Sequence, residues 1–349
     1  MLNQFKTKNM KKSSPLLRLL FFFAIIGCLA DGNLYAQASG FRVSKVFHIA
    51  SSGGWDYIAV GPDNNRLYVS HGTQVNILNE KNGDSVGYIP NTTGVHGIAF
   101  VPALGKGYTS NGRLNNLTVF DLKSNQILGN IAAGTNPDAI MYDDFSKLII
   151  TCNGRSQDLS LIDPVTGQLV ATIAVNGKPE TAVSDGKGKL FINIEDKNEI
   201  IAVDISQRKV TDRWSIAPAE GPTGLAYDAK HNRLFAGCEK TLVVMDAGTG
   251  QVTGHVTIPD GCDGVVFDAK LELVFASCGS GQLSVVHENK SGAYELWENV
   301  PTKASARTVA LNPKTHTLYL PAGEFQKPVT EGTRPPLVPG TFQVLVVKK

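Results

Sequence analysis

The chain repeats itself about every 42 residues, seven times over, and each repeat offers one residue at the same point of an early strand. Those residues are Asp56, His96, Asp138, Glu180, Thr223, Asp263 and Arg307, and six of the seven are ionisable. A repeat of this length made of short strands predicts a ring of sheets rather than layers. A ring brings one residue per repeat to a common centre, so the same feature gives the fold and a candidate site.

Each unit has a Gly-rich start, a short strand, a polar turn and a second strand, as in GVHGIAFVPALGKGYTSNG from residue 94. The runs IAV, IAF, LAY, VVF and VAL lack in/out alternation, which fits strands buried on both faces. The turns are rich in Asp, Asn, Gly and Lys, as hairpin loops are. A third strand follows, usually ending in Asp (Asp121, Asp163, Asp204, Asp246), and a turn then leads to a fourth. Seven units of four strands predict an all-β, seven-bladed β-propeller over residues 39–349. The last unit supplies three strands, near Thr308–Leu311, Thr317–Leu320 and Phe342–Val347. Phe41–Ile49 is expected to supply the fourth and close the ring, removing an open edge.

Residues 1–38 read as an export signal: Lys6, Lys8, Lys11, Lys12 and Arg18 precede the apolar run Leu19–Ala30. That run is too short to span a membrane as a helix. Leu34-Tyr35-Ala36 and Ala36-Gln37-Ala38 offer small-residue cleavage sites, while Ile25-Ile26-Gly27-Cys28 resembles a lipobox. Free export and lipid anchoring through Cys28 both stay open, and either places the chain in the periplasm or outside the cell. The first 38 residues hold five basic residues and one acidic one, so the rest carries 28 basic against 30 acidic residues. That balance implies no attraction to nucleic acid. A monomer is expected.

The units resemble YVTN-type repeats, and the stretch from residue 41 to 349 is similar to the YncE-like propellers of exported bacterial proteins. RLYVSHG from 66, KLFINIED from 189 and the Ile162–Gln168 turn carry the likeness. The resemblance implies the seven-bladed fold and leaves function open, because such propellers host binding modules and enzymes alike. Two departures stand out. The usual Asn after the second strand is replaced by His71, Cys152, Ile194, Cys238 and Cys278, and blade 7 carries a Pro-rich insert, Phe325–Gly340.

The column residues and those after the second strand (His71, Asn111, Glu195, Asp196, Glu239, Glu324) are expected on one face around the axis, under the insert. Asp138, Glu180 and Asp263 are hard oxygen donors suited to Ca²⁺ or Mg²⁺, and the histidines shift preference toward Zn²⁺. Without a metal, crowded carboxylates would raise one another's pKa and supply a general acid or base. Arg307 suits a bidentate clamp on an anionic ligand, or pairing with Asp56 or Asp263. Trp55 is an apolar wall of the mouth or a core residue.

Three functions remain open. In the first, Asp56, Asp138, Thr223, Asp263, Arg307, His71, Glu195 and Glu324 bind a small polar or anionic ligand, with or without a divalent metal. In the second, by analogy with gluconolactonase-like and virginiamycin B lyase-like propellers, His96 or Glu180 is the base of a metal-dependent lyase or lactonase. In the third, the ring is a protein-interaction platform. A strand count back from the turn at Asp268–Glu272 sets Phe267 against Leu273, Asp263 against Ser277 and Cys262 against Cys278, predicting a Cys262–Cys278 disulfide. Cys152 and Cys238 read as buried thiols at equivalent places of two blades.

Overall fold

The computed structural model describes residues 38–63, 65–326 and 335–349. The export-signal reading over 1–38, with Cys28, lies outside the described residues apart from Ala38, as do residues 327–334 of the insert. No helix among the described residues is long and apolar enough to cross a membrane.

Seven antiparallel sheets of four strands form the ring. Blade 1 runs Trp55–Val60, Arg66–His71, Gln74–Asn79 and Ser85–Ile89, from the axis outward. The inner strands of blades 2–7 are Val95–Val101, Pro137–Asp143, Pro179–Ser184, Leu225–Asp228, Cys262–Asp268 and Ala310–Asn312. Arg42–His48 pairs antiparallel with Gln343–Lys348, so the last blade is built from both ends of the chain, as the strand count predicts.

Burial follows position in the blade. Second strands such as Leu148–Asn153 and third strands such as Glu199–Asp204 are buried on both faces, whereas the outer strand Lys209–Ser215 is largely exposed. The inner strands are only partly buried, contrary to the reading of their continuous apolar runs, because they line the axial channel. Large rings fill the gaps between blades: Tyr68 of blade 1 meets Phe100 and Phe120 of blade 2, and Phe235 of blade 5 stacks on Phe267 of blade 6. Of these, Tyr68, Phe120 and Phe235 are fully buried, and each contributes about 2–3 kcal/mol through removal of apolar surface from water.

On the face away from the column, Asp121, Asp163, Asp204 and Asp246 accept hydrogen bonds from turn N–H groups, as expected of turn residues. On the same face, the partly exposed His231 and His316 donate through Nδ1 to the buried Asp228 and Asp268, each at 2.6 Å.

Candidate functional site

The column residues reach the axis because the inner strands bulge there. In blades 1–4 the register slips so that two inner-strand residues face one of the second strand: Asp56 and Tyr57, His96 and Gly97, Asp138 and Ala139, Glu180 and Thr181. A bulge frees a side chain from the alternation of the strand and re-aims it. Blade 6 has one extra residue, Asp263.

Small polar side chains stitch these bulges into a circuit. Ser70 accepts from Asp56 N–H and donates to Tyr57 O, both at 2.9 Å. Ser110 donates to Asp138 O of the next blade. Asn193 donates to Thr223 O at 3.0 Å, and the Thr223 hydroxyl donates to Cys262 O at 2.8 Å. Ser277 donates to Ala306 O at 2.8 Å, and Thr308 donates to Asp56 O at 2.6 Å, across the closing seam. Each bond is worth about 1 kcal/mol, and together they fix the column in place. Thr223, expected to touch ligand, is therefore a tie between blades.

The charged side chains form a chain of contacts. Arg307 bridges Asp263 and Asp56, with 3.2 Å between Arg307 Nη2 and Asp56 Oδ1. Asp56 Oδ2 accepts from His96 Nδ1 at 2.5 Å, and the same nitrogen lies 3.7 Å from Asp138. Lys178 sits 2.8 Å from Glu180 and also pairs with Glu195. Burial works to raise Asp56, but the His96 bond and the Arg307 charge outweigh it and hold the carboxyl below its usual range. For His96, burial works downward, and the bond to Asp56 with the charges of Asp138, Asp56 and Glu180 lifts it above the usual imidazole value. Burial and neighbouring carboxylates push Asp138 up to about 6 and Glu180 up to about 8.

A cleft of about 570 Å³ opens over this layer. Its floor is Asp56, His96 and Arg307; Arg113, Asn136 and Arg155 stand at one end and Trp55, Phe325, Pro335 and Leu337 at the other. Arg113 and Arg155 are exposed and make no ion pair among the described residues. His96 also lines this space, and its Nε2 lies against Gly112, where a Cβ would stand 2.7 Å from Nε2 and 2.9 Å from Asn136 Oδ1. Trp55 packs between Phe325 and Phe342, so it is core residue and cleft wall at once. Its indole N–H is buried without an acceptor among the described residues. Such a donor costs about 1–3 kcal/mol. Beneath the layer, Tyr57, Ile98, Ile140, Ile150 and Cys152 help enclose an apolar cavity of about 160 Å³.

Several expectations need correction. His71 is fully buried and faces away from the mouth: Nε2 donates to Gly53 O at 2.9 Å, Ser51 donates to Nδ1 at 2.8 Å, and the ring stacks on Phe342. Glu324 lies on the rim, 2.6 Å from Lys303. Asp138, Glu180 and Asp263 do not gather as a metal triad, because Asp263 is drawn to Arg307 and Glu180 to Lys178. Among the described residues, the group close enough to share a cation is Asp56, His96 and Asp138, with ligand atoms within 4.8 Å of one another. The fit to a divalent ion is poor, since Asp56 already accepts from both His96 and Arg307.

Cys262 and Cys278 are opposite one another but unbridged. The bulge turns Cys262 Sγ toward Gly237 of blade 5, 2.5 Å from where a Cβ would stand, and its thiol is hydrogen-bonded to Cys278. The register above them differs from the count by one, with Asp268 against Leu273 and Gly264 against Ser277. Cys152 is not equivalent to Cys238: Asn153 holds that place in blade 3, donating to Asp158 at 2.7 Å and Ser160 at 2.8 Å.

Arg113 and Arg155 were missed by the sequence reading, although Asn111-Gly112-Arg113 and Asn153-Gly154-Arg155 repeat one tripeptide a full unit apart. No family model matches the chain, and no curated protein matches it. Among solved structures the chain is similar to Kuenenia stuttgartiensis hydrazine synthase, at 16% identity and a TM-score of 0.69, over 78% of this chain and 94% of that one. At that identity the likeness concerns the fold, a β-propeller.

Proposed function

We propose that the chain is an exported, YncE-like propeller that binds a small anionic ligand in the cleft over Asp56, His96 and Arg307. The observation that carries this reading is the set of Arg113, Arg155 and Arg307 around one concave space, two of them without a carboxylate partner among the described residues. Guanidinium groups are forks matched to carboxylate and phosphate oxygens. Asp56 does not oppose an incoming anion, since Arg307 and His96 offset its charge. His96, whose imidazole is raised above its usual value by Asp56 and the neighbouring carboxylates, lines the same cleft. Concave sites of this volume, with an apolar lining and a few convergent polar groups, are the usual form of ligand pockets.

The test is calorimetric titration with small carboxylates and inorganic phosphate, on the wild type and on Arg113→Ala, Arg155→Ala. Loss of anion binding in the folded double variant supports the reading; unchanged binding rejects it.

A second reading rests on the Asp56–His96 pair. A carboxylate holding Nδ1 of an imidazole that lines a cleft is the arrangement of an oriented general base. On this reading the chain is a lyase or hydrolase, with Asp56 the positioning residue and Arg113 and Arg155 holding the substrate's charge. If a divalent cation takes part, Asp56, His96 and Asp138 are the residues that would hold it. Turnover of a lactone or an eliminable acid that vanishes in His96→Ala would favour this reading over simple binding.

A further inference from the structure

The two ends of the cleft differ in chemistry. Blades 2 and 3 present Arg113 and Arg155, while the seam of blades 7 and 1 presents Trp55, Phe325 and Leu337. We infer that the ligand is an amphipathic carboxylate, with its head between Arg113 and Arg155 and its apolar body against the Phe325–Leu337 wall. This rests on the anion-binding reading and names the ligand class of that site.

Three observations point the same way. First, the apolar end is built and not incidental. Phe325 bridges to Leu337 across the base of the insert, and Phe325 stacks on Trp55 at 5.5 Å between ring centres. Trp55 in turn stacks on Phe342 at 5.1 Å, which anchors the wall in the core. Gly323 keeps this end tight, since a Cβ there would lie 2.6 Å from Leu337 and 3.0 Å from the Trp55 ring. Phe325 and Leu337 are themselves only partly buried, so the wall still offers apolar surface to a ligand.

Second, the cleft holds more than a bare anion needs. A space of about 570 Å³ is the size of a pocket for a multi-ring or long-chain molecule. A free phosphate would meet the guanidinium end alone and leave the apolar end in contact with water. Apolar surface buried at that end adds affinity in proportion to its area.

Third, the charged end is free to take a carboxylate: Arg113 and Arg155 line the cleft, are exposed and make no ion pair among the described residues, and a guanidinium fork matches the two oxygens of a carboxylate.

The experiment titrates purified residues 39–349 with acetate, inorganic phosphate and 4-phenylbutyrate, and repeats the series with Phe325→Ala and with Arg113→Ala, Arg155→Ala. Circular dichroism confirms that each variant is folded. We expect 4-phenylbutyrate to bind about tenfold or more tightly than acetate, and Phe325→Ala to abolish that advantage. Equal affinity for acetate and 4-phenylbutyrate, or tightest binding of phosphate, overturns the amphipathic ligand but leaves anion binding standing. Failure of every anion to bind, or binding indifferent to both arginines, overturns the anion site itself.

Discussion

Glu180 is the group whose protonation the fold controls most directly, and Glu180→Gln isolates it. Two pulls act on the carboxyl. Lys178, 2.8 Å away, favours the anion; burial and the nearby Asp138 favour the acid. The second pull wins because Lys178 is shared with Glu195 and its side chain is 43% exposed, whereas that of Glu180 is 9% exposed. The carboxyl is raised from 4.5 to about 8. A group raised in the folded state stabilises the fold fully below its unfolded value and loses that contribution as pH climbs through the folded one. Wild type should therefore lose stability relative to Glu180→Gln between pH 4.5 and 8. The full displacement corresponds to roughly 5 kcal/mol, and coupling to Asp138 and the opposing Lys178 reduces the expected loss to about 2–4 kcal/mol. Denaturant unfolding of both proteins from pH 4 to pH 9 measures it. Parallel curves would refute the reasoning, and a wild type that gains on the variant with rising pH would show that the Lys178 ion pair governs.

Two further outcomes are expected. Gly112→Ala should displace the His96 ring, lowering stability by about 1–3 kcal/mol and weakening anion binding in a protein that still folds, as read by thermal melts and titration. Residues 39–349, purified without added oxidant, should titrate no thiol when folded and four when unfolded, because Cys152, Cys238, Cys262 and Cys278 are all buried and free; two on unfolding would mean that a bridge had formed.

The ring was legible because the period is carried by every unit, and the closing strand because blade 7 is visibly one strand short. The column was legible for the same reason, but what each member does was not. Thr223 and Glu180 hold the same place in the repeat, yet one ties two blades and the other is half of an ion pair, and only the neighbours decide. Bulges defeat strand counting: the count missed by one from Asp268 to Gly264 and recovered at Cys262, since the extra residue Asp263 cancelled the error. His71 and Asn111 end equivalent strands and both are buried, His71 against Gly53 and Ser51 and Asn111 against Asn116 of its own blade. The residues that do face the cleft, Arg113 and Arg155, lie two positions further on, where the connection has left the sheet.

Because Arg42–His48 pairs with Gln343–Lys348, about three hundred residues lie between the partners of one hairpin-like contact. A chain growing from its N-terminus holds that first strand without a mate until Gln343–Lys348 has been made. Loop closure over so long a span is slow, and it completes the blade whose Arg307 meets Asp56 of blade 1. The Arg307–Asp56 contact joins that late-closing blade to blade 1, so ligand binding over Arg307 should weaken in a product that lacks the final strand.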